Sequence, residues 1–547
     1  MNQRRSRTAF ILLVVTVVIV MITLVGLSFV VTLSTENKAV HLQGDQLQLE
    51  QTLASGVELL RAVSRSSPDE QRQGGGVEFN ASLFQDRTLT ADEPAADGAF
   101  FRIVSPQITG DTVAGWRFGV EDESARLNLA TLLDWERQES GAATRALLNL
   151  PGMTEAVADA ILDWIDTDAT PRPAGAEADY YASRGLPYEP RNGVPAVLEE
   201  LLLVRDVSRQ QLFGAETASA DRAKDALPWA LLLTVYSAER NTSAEGRPRI
   251  HLNQRELAKL HGQLREVFDP EWADFIIAFR QYGPAEPAAG AGPPPGFPAS
   301  PPPFPPPSGE PAARKPPPDH AAGQPPPPGE SPAHRLPPGR AEQRPAIDLT
   351  VPATHELTSI LDVVGVSVSL PRKADANAAG SAGAEPIIWP SPLENQPDWL
   401  RAELPRLLDL TTTTEQTVLR GRINVRQAPR CVLLGIPGMD PALVDRIVAV
   451  RHTVSGGAQA ADRHALWLLH EGLVDLARMK TLLPYITGGG DVVRAQVVAR
   501  HERSRLKARA EVVIDATAPP PRQVYYKDLS WLSQNAEPEA EGSAEGE

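Results

Sequence analysis

Five carboxylates gather in one short stretch of this chain. Asp163, Asp166 and Asp168 close an amphipathic segment, and Glu177 and Asp179 follow across a turn rich in proline and glycine. Carboxylate oxygens are hard ligands, and calcium takes about six to eight such oxygens, so the grouping points to a divalent cation. Asp163 and Asp166 are three positions apart and share a helix face, and Asp166 and Asp168 alternate as the chain leaves that helix. Glu177 stands eleven positions after Asp166, so Asp166, Asp168 and Glu177 occupy the first, third and last ligand positions of a twelve-residue calcium loop. Pro171 replaces the glycine that loop needs at its sixth position, and Tyr180 to Gly185 carry no clear pattern of an exiting helix, so an EF-hand is not expected. The plain alternative is a solvated acidic surface. Against it, carboxylates crowded around a turn repel one another unless a cation joins them.

The elements that would position these groups recur along the chain. Three segments open with a short extended motif, Arg126-Leu127-Asn128-Leu129, Arg249-Ile250-His251-Leu252-Asn253 and Arg422-Ile423-Asn424-Val425, and each then reads as helix, turn and helix. In the second helices the apolar triplets Val157/Ile161/Trp164, Trp272/Ile276/Phe279 and Leu443/Ile447/Val450 fall at one helical spacing, which marks them as core. Two turns are nearly identical, Leu150-Pro151-Gly152-Met153 and Ile436-Pro437-Gly438-Met439. These read as helix-hairpin-helix units. Such hairpins grip a phosphate through the amides of a Gly-x-Gly turn, but neither turn has the second glycine, and Glu155 or Asp440 stands nearby. A structural use is favoured over DNA binding.

The amino end locates the chain. Ala9 to Leu33 carries no charged residue, longer than the roughly 20 apolar residues a membrane-spanning helix needs. Arg4, Arg5 and Arg7 precede it and no comparable basic cluster follows, so the amino end is expected in the cytoplasm and the bulk of the chain across the membrane. Leu49, Leu53, Val57 and Leu60 continue one helical face beyond the span. The net charge of −16 argues against general affinity for nucleic acid or anionic lipid. A single cysteine, Cys431, excludes an intrachain disulfide and sits in an apolar helical run, which predicts a buried inert thiol. The ten histidines form no ligand cluster and no glycine-rich phosphate loop follows a strand, so no enzyme is expected.

The remaining sequence sets the domain plan. From about Pro284 to Pro345 it turns to proline, glycine and alanine, a linker composition. The end from Ala536 to Glu547 is glutamate, alanine, glycine and serine, expected to be disordered. Arg505 to Ile514 and Arg522 to Lys527 read as paired strands across Pro519-Pro520-Pro521, with Val492 to Ala499 as a third. The fold class is therefore α+β, a pilin-type helix and a small antiparallel sheet with a helical region inserted between them. The expected divisions are a basic leader at 1–8, a transmembrane helix at 9–33, a helix continuation with first strands at 34–126 and a helical insertion with the acidic loop at 127–283. A linker at 284–347, a second hairpin region at 348–487, C-terminal strands at 488–532 and an acidic tail at 533–547 follow.

These residues resemble the type II secretion minor pseudopilin family called general secretion pathway protein K. The resemblance rests on Asp163-Trp164-Ile165-Asp166-Thr167-Asp168, Gly175-Ala176-Glu177 with Tyr180-Tyr181, Asn192, the Leu198 to Leu201 run, and Arg422-Ile423-Asn424 leading into Pro437-Gly438. It implies an inner-membrane protein with most of its chain in the periplasm, which binds calcium and caps a pilus-like fibre with minor pseudopilins I and J. Secreted protein cargo is a further candidate contact. Asp166, Asp168, Glu177 and Asp179 match the acidic part of the motif as calcium ligands, with Asp163 a supporting group. Prepilin leaders normally end in glycine, and none stands between Arg7 and Phe10, so the best processing junction is Ala9/Phe10. Counting from Phe10, the fifth position is Val14, where most pilins place a glutamate that neutralises a neighbour's amine. A buried carboxylate without a partner costs about 2.5–3.5 kcal/mol in a membrane, and a subunit with no neighbour above it lacks that partner, so an apolar Val14 suits a fibre tip.

Two rival functions stay open at this stage. A membrane-anchored DNA receptor for uptake would use the hairpins but calls for a basic surface and Gly-x-Gly turns. A plain periplasmic scaffold would use the proline-rich segment and would not need the acidic loop.

Overall fold

The computed structural model describes residues 2–88, 98–214, 227–285, 345, 347–371, 386–454 and 463–530. The expected proline-rich linker, apart from its edges, and the acidic tail lie outside them. The chain divides into a large unit, Met1–Gln254, Leu357–Val364 and Leu393–Glu547, and a smaller one, Arg255–Glu356 and Gly365–Pro392.

In the large unit, helix α1 runs unbroken over Asn2–Arg65, 64 residues without a proline. At about 1.5 Å per residue it is roughly 95 Å long, far more than the ~30 Å of a bilayer core. Its large apolar side chains between Leu12 and Leu33, Val14 among them, are exposed, as lipid-facing groups must be, whereas Leu49, Leu53, Val57 and Leu60 are buried. Ala9 and Phe10 lie within α1, their side chains outside the described set. The buried face of α1 packs on an antiparallel sheet made from both ends of the chain. The early strands are β1 (Arg87–Thr88), β2 (Ala99–Thr109), β3 (Thr112–Phe118) and β4 (Glu121–Asp122); the late ones are β5 (Val492–His501), β6 (Lys507–Asp515) and β7 (Arg522–Asp528). Their order is β1-β2-β5-β6-β7, with β3 on β2 and β4 on β5. Ala495, Val497, Ala510, Val512 and Ile514 join the α1 core, while Val492 and Val513 pack with Ala238 in a separate cluster. Burial on both faces explains why β5 and β6 read as apolar runs and not as an alternation. Gly56 lets α1 approach this closely, since a Cβ there would collide with Val497 and Phe101.

Between the early and late strands lie the repeats. The strand Leu127–Asn128 pairs in parallel with Leu233–Thr234, Ile250–His251 with Thr411–Thr412, and Ile423–Asn424 with Ile486–Thr487. The arginine opening each segment donates to a main-chain carbonyl at or just before the partner strand: Arg126 to Ala230, Arg249 to Asp409 and Arg422 to Ile486. The opening arginine thus closes the same short parallel ladder three times, with Asn128 and Asn424 at the third position of two openings and His251 in the other. The first segment holds α2 (Leu129–Gln138), α3 (Ala142–Leu148), α4 (Glu155–Ile165) and α5 (Ala178–Ser183), one helix more before its turn than helix, turn, helix provides. The second has α6 (Leu257–Val267) and α7 (Pro270–Tyr282), both in the smaller unit, and the third α8 (Arg430–Leu434) and α9 (Pro441–Val454). The apolar triplets are buried apart from Val450, which is half-buried. Gly152 and Gly438 have φ of 69° and 81°, a left-handed turn that favours glycine. The carbonyls beside these turns face protein groups, Pro151 accepting from the Trp229 indole and Gly438 from Arg478. Cys431 is buried, and desolvation pushes its thiol up to about 12.

Charged side chains join the sheet to the insertion. Arg126 pairs with Glu121 at 2.5 Å, and Arg494 on β5 joins Glu123 and Glu511. On the far edge, Glu199 accepts from Tyr525 at 2.6 Å and Lys527 at 2.7 Å, both on β7. Asp122 on β4 accepts from Ser124, from the Asn424 amide and from the main chain of Gly490, each at 2.8 Å. Burial outweighs those bonds, and with Glu78 near it the carboxyl rises from 3.8 to about 6. Its folded value lies above its unfolded one, so its contribution is fully present below about pH 4 and is lost as pH rises through 6. The stability of the Asp122→Asn chain should therefore vary less with pH between 4 and 6, by up to one proton, in urea titrations at stepped pH. An unchanged slope would mean that Asp122 stays ionised in the fold.

Candidate functional site

The acidic loop begins on one face of α4. Thr154 caps the helix by accepting from Val157, and its sequence puts Asp159, Asp163 and Asp166 at i, i+4 and i+7, on the side from which the loop departs. Asp166 ends the helix as its C-cap, and Pro171 and Pro173 prevent its resumption. The loop then folds back over the aspartates. Asp159 accepts from Ala174 N at 3.1 Å, while Asp163, fully buried, accepts from Ala176 N at 2.8 Å and Arg172 N at 3.2 Å. Gly175 fits because it lacks a side chain; a Cβ there would enter the Asp163 carboxylate. Arg205 fastens the outer side of the loop, donating to Gly175 O at 3.1 Å, and lies 4.8 Å from the centre of the Tyr180 ring. Trp164 and Tyr181 meet edge to face at 5.7 Å beneath it.

The expected ligands have distinct surroundings. Asp166 and Glu177 are 8% and 6% exposed, and each keeps one buried oxygen, Oδ1 and Oε1 respectively, with no hydrogen-bond partner. Asp168 is exposed and accepts from Thr170 N at 2.8 Å. Asp179 is exposed in the first turn of α5, where a negative charge suits the helix dipole. Burial raises the Glu177 carboxyl to about 7, and the charges of Asp163, Asp166 and Asp168 push the same way. Asp166 is raised too, by burial first, with Asp168 and Asp163 adding to it and Arg172 opposing. Among the described residues no three His, Cys, Asp or Glu side chains stand close enough to hold an ion as they are. The cation placed among them is Arg172, whose Nη1 lies 2.9 Å from Asp163 Oδ1 and 2.5 Å from Asp166 Oδ2.

Two features differ from the sequence reading. An exiting helix does follow Glu177: α5 starts at the next residue, and packing of Tyr181 under Trp164 stabilises a helix too short to be read from periodicity. Arg172 and Asp159 also belong to the group. Helical spacing back from Asp163 signals Asp159, but nothing local tells that the Arg172 side chain turns inward.

The two orphaned oxygens and the crowding of like charge fit a hard cation at Asp166 and Glu177, with Asp168 in electrostatic reach. Asp163 accepts from the loop backbone and from the Arg172 guanidinium. Residues 125–213, which contain this site, match the family model described as type II secretion system (T2SS), protein K. No curated protein matches the chain.

Proposed function

We propose, for a chain that belongs through residues 125–213 to the type II secretion system protein K family, that it is a minor pseudopilin capping the tip of the pseudopilus and helping to initiate its assembly. The observation that carries this reading is the insertion itself. A single apolar helix continues into a pilin-like sheet, and the helical mass from Leu127 to Tyr282 lies between the strands of that sheet in sequence, with the third repeat beyond it. Fibres of small pilins repeat at close spacing, and so much added bulk suits a position that occurs once. An exposed, apolar Val14 supports the same place, since a tip subunit has no neighbour above to pair with a carboxylate. In this reading α1 anchors the chain in the inner membrane, the rest is periplasmic, and the partners are minor pseudopilins I and J. Calcium at Asp166, Glu177 and Asp168, with Asp179 at the rim, would neutralise the loop and hold α4 against α5. The missing second glycine at both Pro-Gly turns, and the net charge of −16, speak against the DNA-receptor alternative.

The test is assembly. Detergent-solubilised full chain mixed with minor pseudopilins I and J should give one complex with one copy of each, read by light scattering coupled to gel filtration. A chain that ignores both partners, or that self-assembles into polymers, refutes the capping role.

A further inference from the structure

Asp163 and Asp166 share one guanidinium nitrogen. Arg172 Nη1 is 2.9 Å from Asp163 Oδ1 and 2.5 Å from Asp166 Oδ2. One positive charge therefore stands where Asp163, Asp166, Asp168 and Glu177 meet electrostatically, and it leaves Asp166 Oδ1 and Glu177 Oε1 buried without partners. Resting on the reading of this loop as a cation site, we infer that Arg172 is a tethered counter-ion, which offsets the charge of Asp163 and Asp166 when the loop is metal-free and which a divalent cation must displace.

Both cations would use the Asp166 carboxylate, and two positive charges on one carboxylate repel strongly in a half-buried site. The cation with more charge wins, and the guanidinium has a way out, because the Arg172 side chain is 24% exposed and flexible. The frame of the loop does not depend on that side chain. Arg172 N still bonds Asp163, and Arg172 O still accepts from Gly175 N at 3.0 Å. Affinity for the ion is thus set against the internal ion pair: Arg172 weakens binding while protecting the empty loop.

The experiment is calcium titration by calorimetry on the detergent-solubilised full chain and on Arg172→Gln. The variant should bind calcium about tenfold more tightly, while its chelated form melts at a lower temperature than the chelated original. In the original chain, Arg172 should become more reactive to phenylglyoxal when calcium is added, as read by peptide mass spectrometry. That second measurement decides the matter if Arg172→Gln fails to fold. Equal or weaker binding by the variant, or Arg172 protected by calcium, overturns the displacement and leaves the cation site standing. Absence of calcium binding to the original chain overturns the site and this inference together.

Discussion

Replacing Arg494 with methionine should cost about 3–5 kcal/mol of unfolding free energy, the range for breaking a buried ion pair from one side. Arg494 is 7% exposed and joins Glu123, whose side chain is wholly buried, to Glu511 on the adjacent strand. Burial alone would raise the Glu123 carboxyl, but Arg494 and then Arg126 outweigh it and hold it below its ordinary value. A depressed folded value means that this stability is present above the unfolded value of about 4.5 and is lost as pH falls through the folded one. Without Arg494, Glu123 keeps a donor in Thr234 and the charge of Arg126 but loses its strongest partner. Urea unfolding followed by tryptophan fluorescence measures the loss as a shift in midpoint. Adding Glu123→Gln to Arg494→Met should recover a large part of it, because the orphaned charge is then gone. A single variant within 1 kcal/mol of the original would show that the junction between sheet and insertion does not rest on this pair.

Calcium should stabilise the folded chain by about 2.7 kcal/mol at a hundredfold excess over its dissociation constant, through binding to the folded state alone. The two partnerless oxygens at Asp166 and Glu177 and the upward-shifted Glu177 carboxyl are what a cation would relieve. Thermal unfolding in chelator and in millimolar calcium should differ by several degrees. Asp168→Ala should reduce the difference, and Glu177→Gln, which removes a charge at a buried oxygen, should nearly abolish it. Magnesium, which demands a tight octahedron and gives up its waters reluctantly, should stabilise less. Identical melting curves in chelator and calcium, with Asp168→Ala indistinguishable from the original, would end the metal reading and leave Arg172 as the counter-charge of Asp163 and Asp166.

Features that depend on near neighbours in the chain were legible without coordinates. The apolar span, the buried stripe of Leu49, Leu53, Val57 and Leu60, the repeated openings led by arginine, the strands near the carboxy end and the acidic run all follow from local spacing, because a helix or strand shows its period in the residues that form it. What needed tertiary structure is what distant segments do to one another. Gln496 on β5 pairs with Val104 on β2 across most of the chain, and no local pattern names that partner. The same holds for α5, a helix of six residues kept by the ring of Tyr181 under Trp164, and for Asp122, two of whose three donors come from Asn424 and Gly490. At the candidate site the sequence placed the carboxylates together, since they lie within seventeen positions of one another. It did not reveal that an arginine in their midst pairs with two of them at once. A long cationic side chain can point to water or inward with equal ease from the same backbone, and only the packed positions of Asp163 and Asp166 decided its direction.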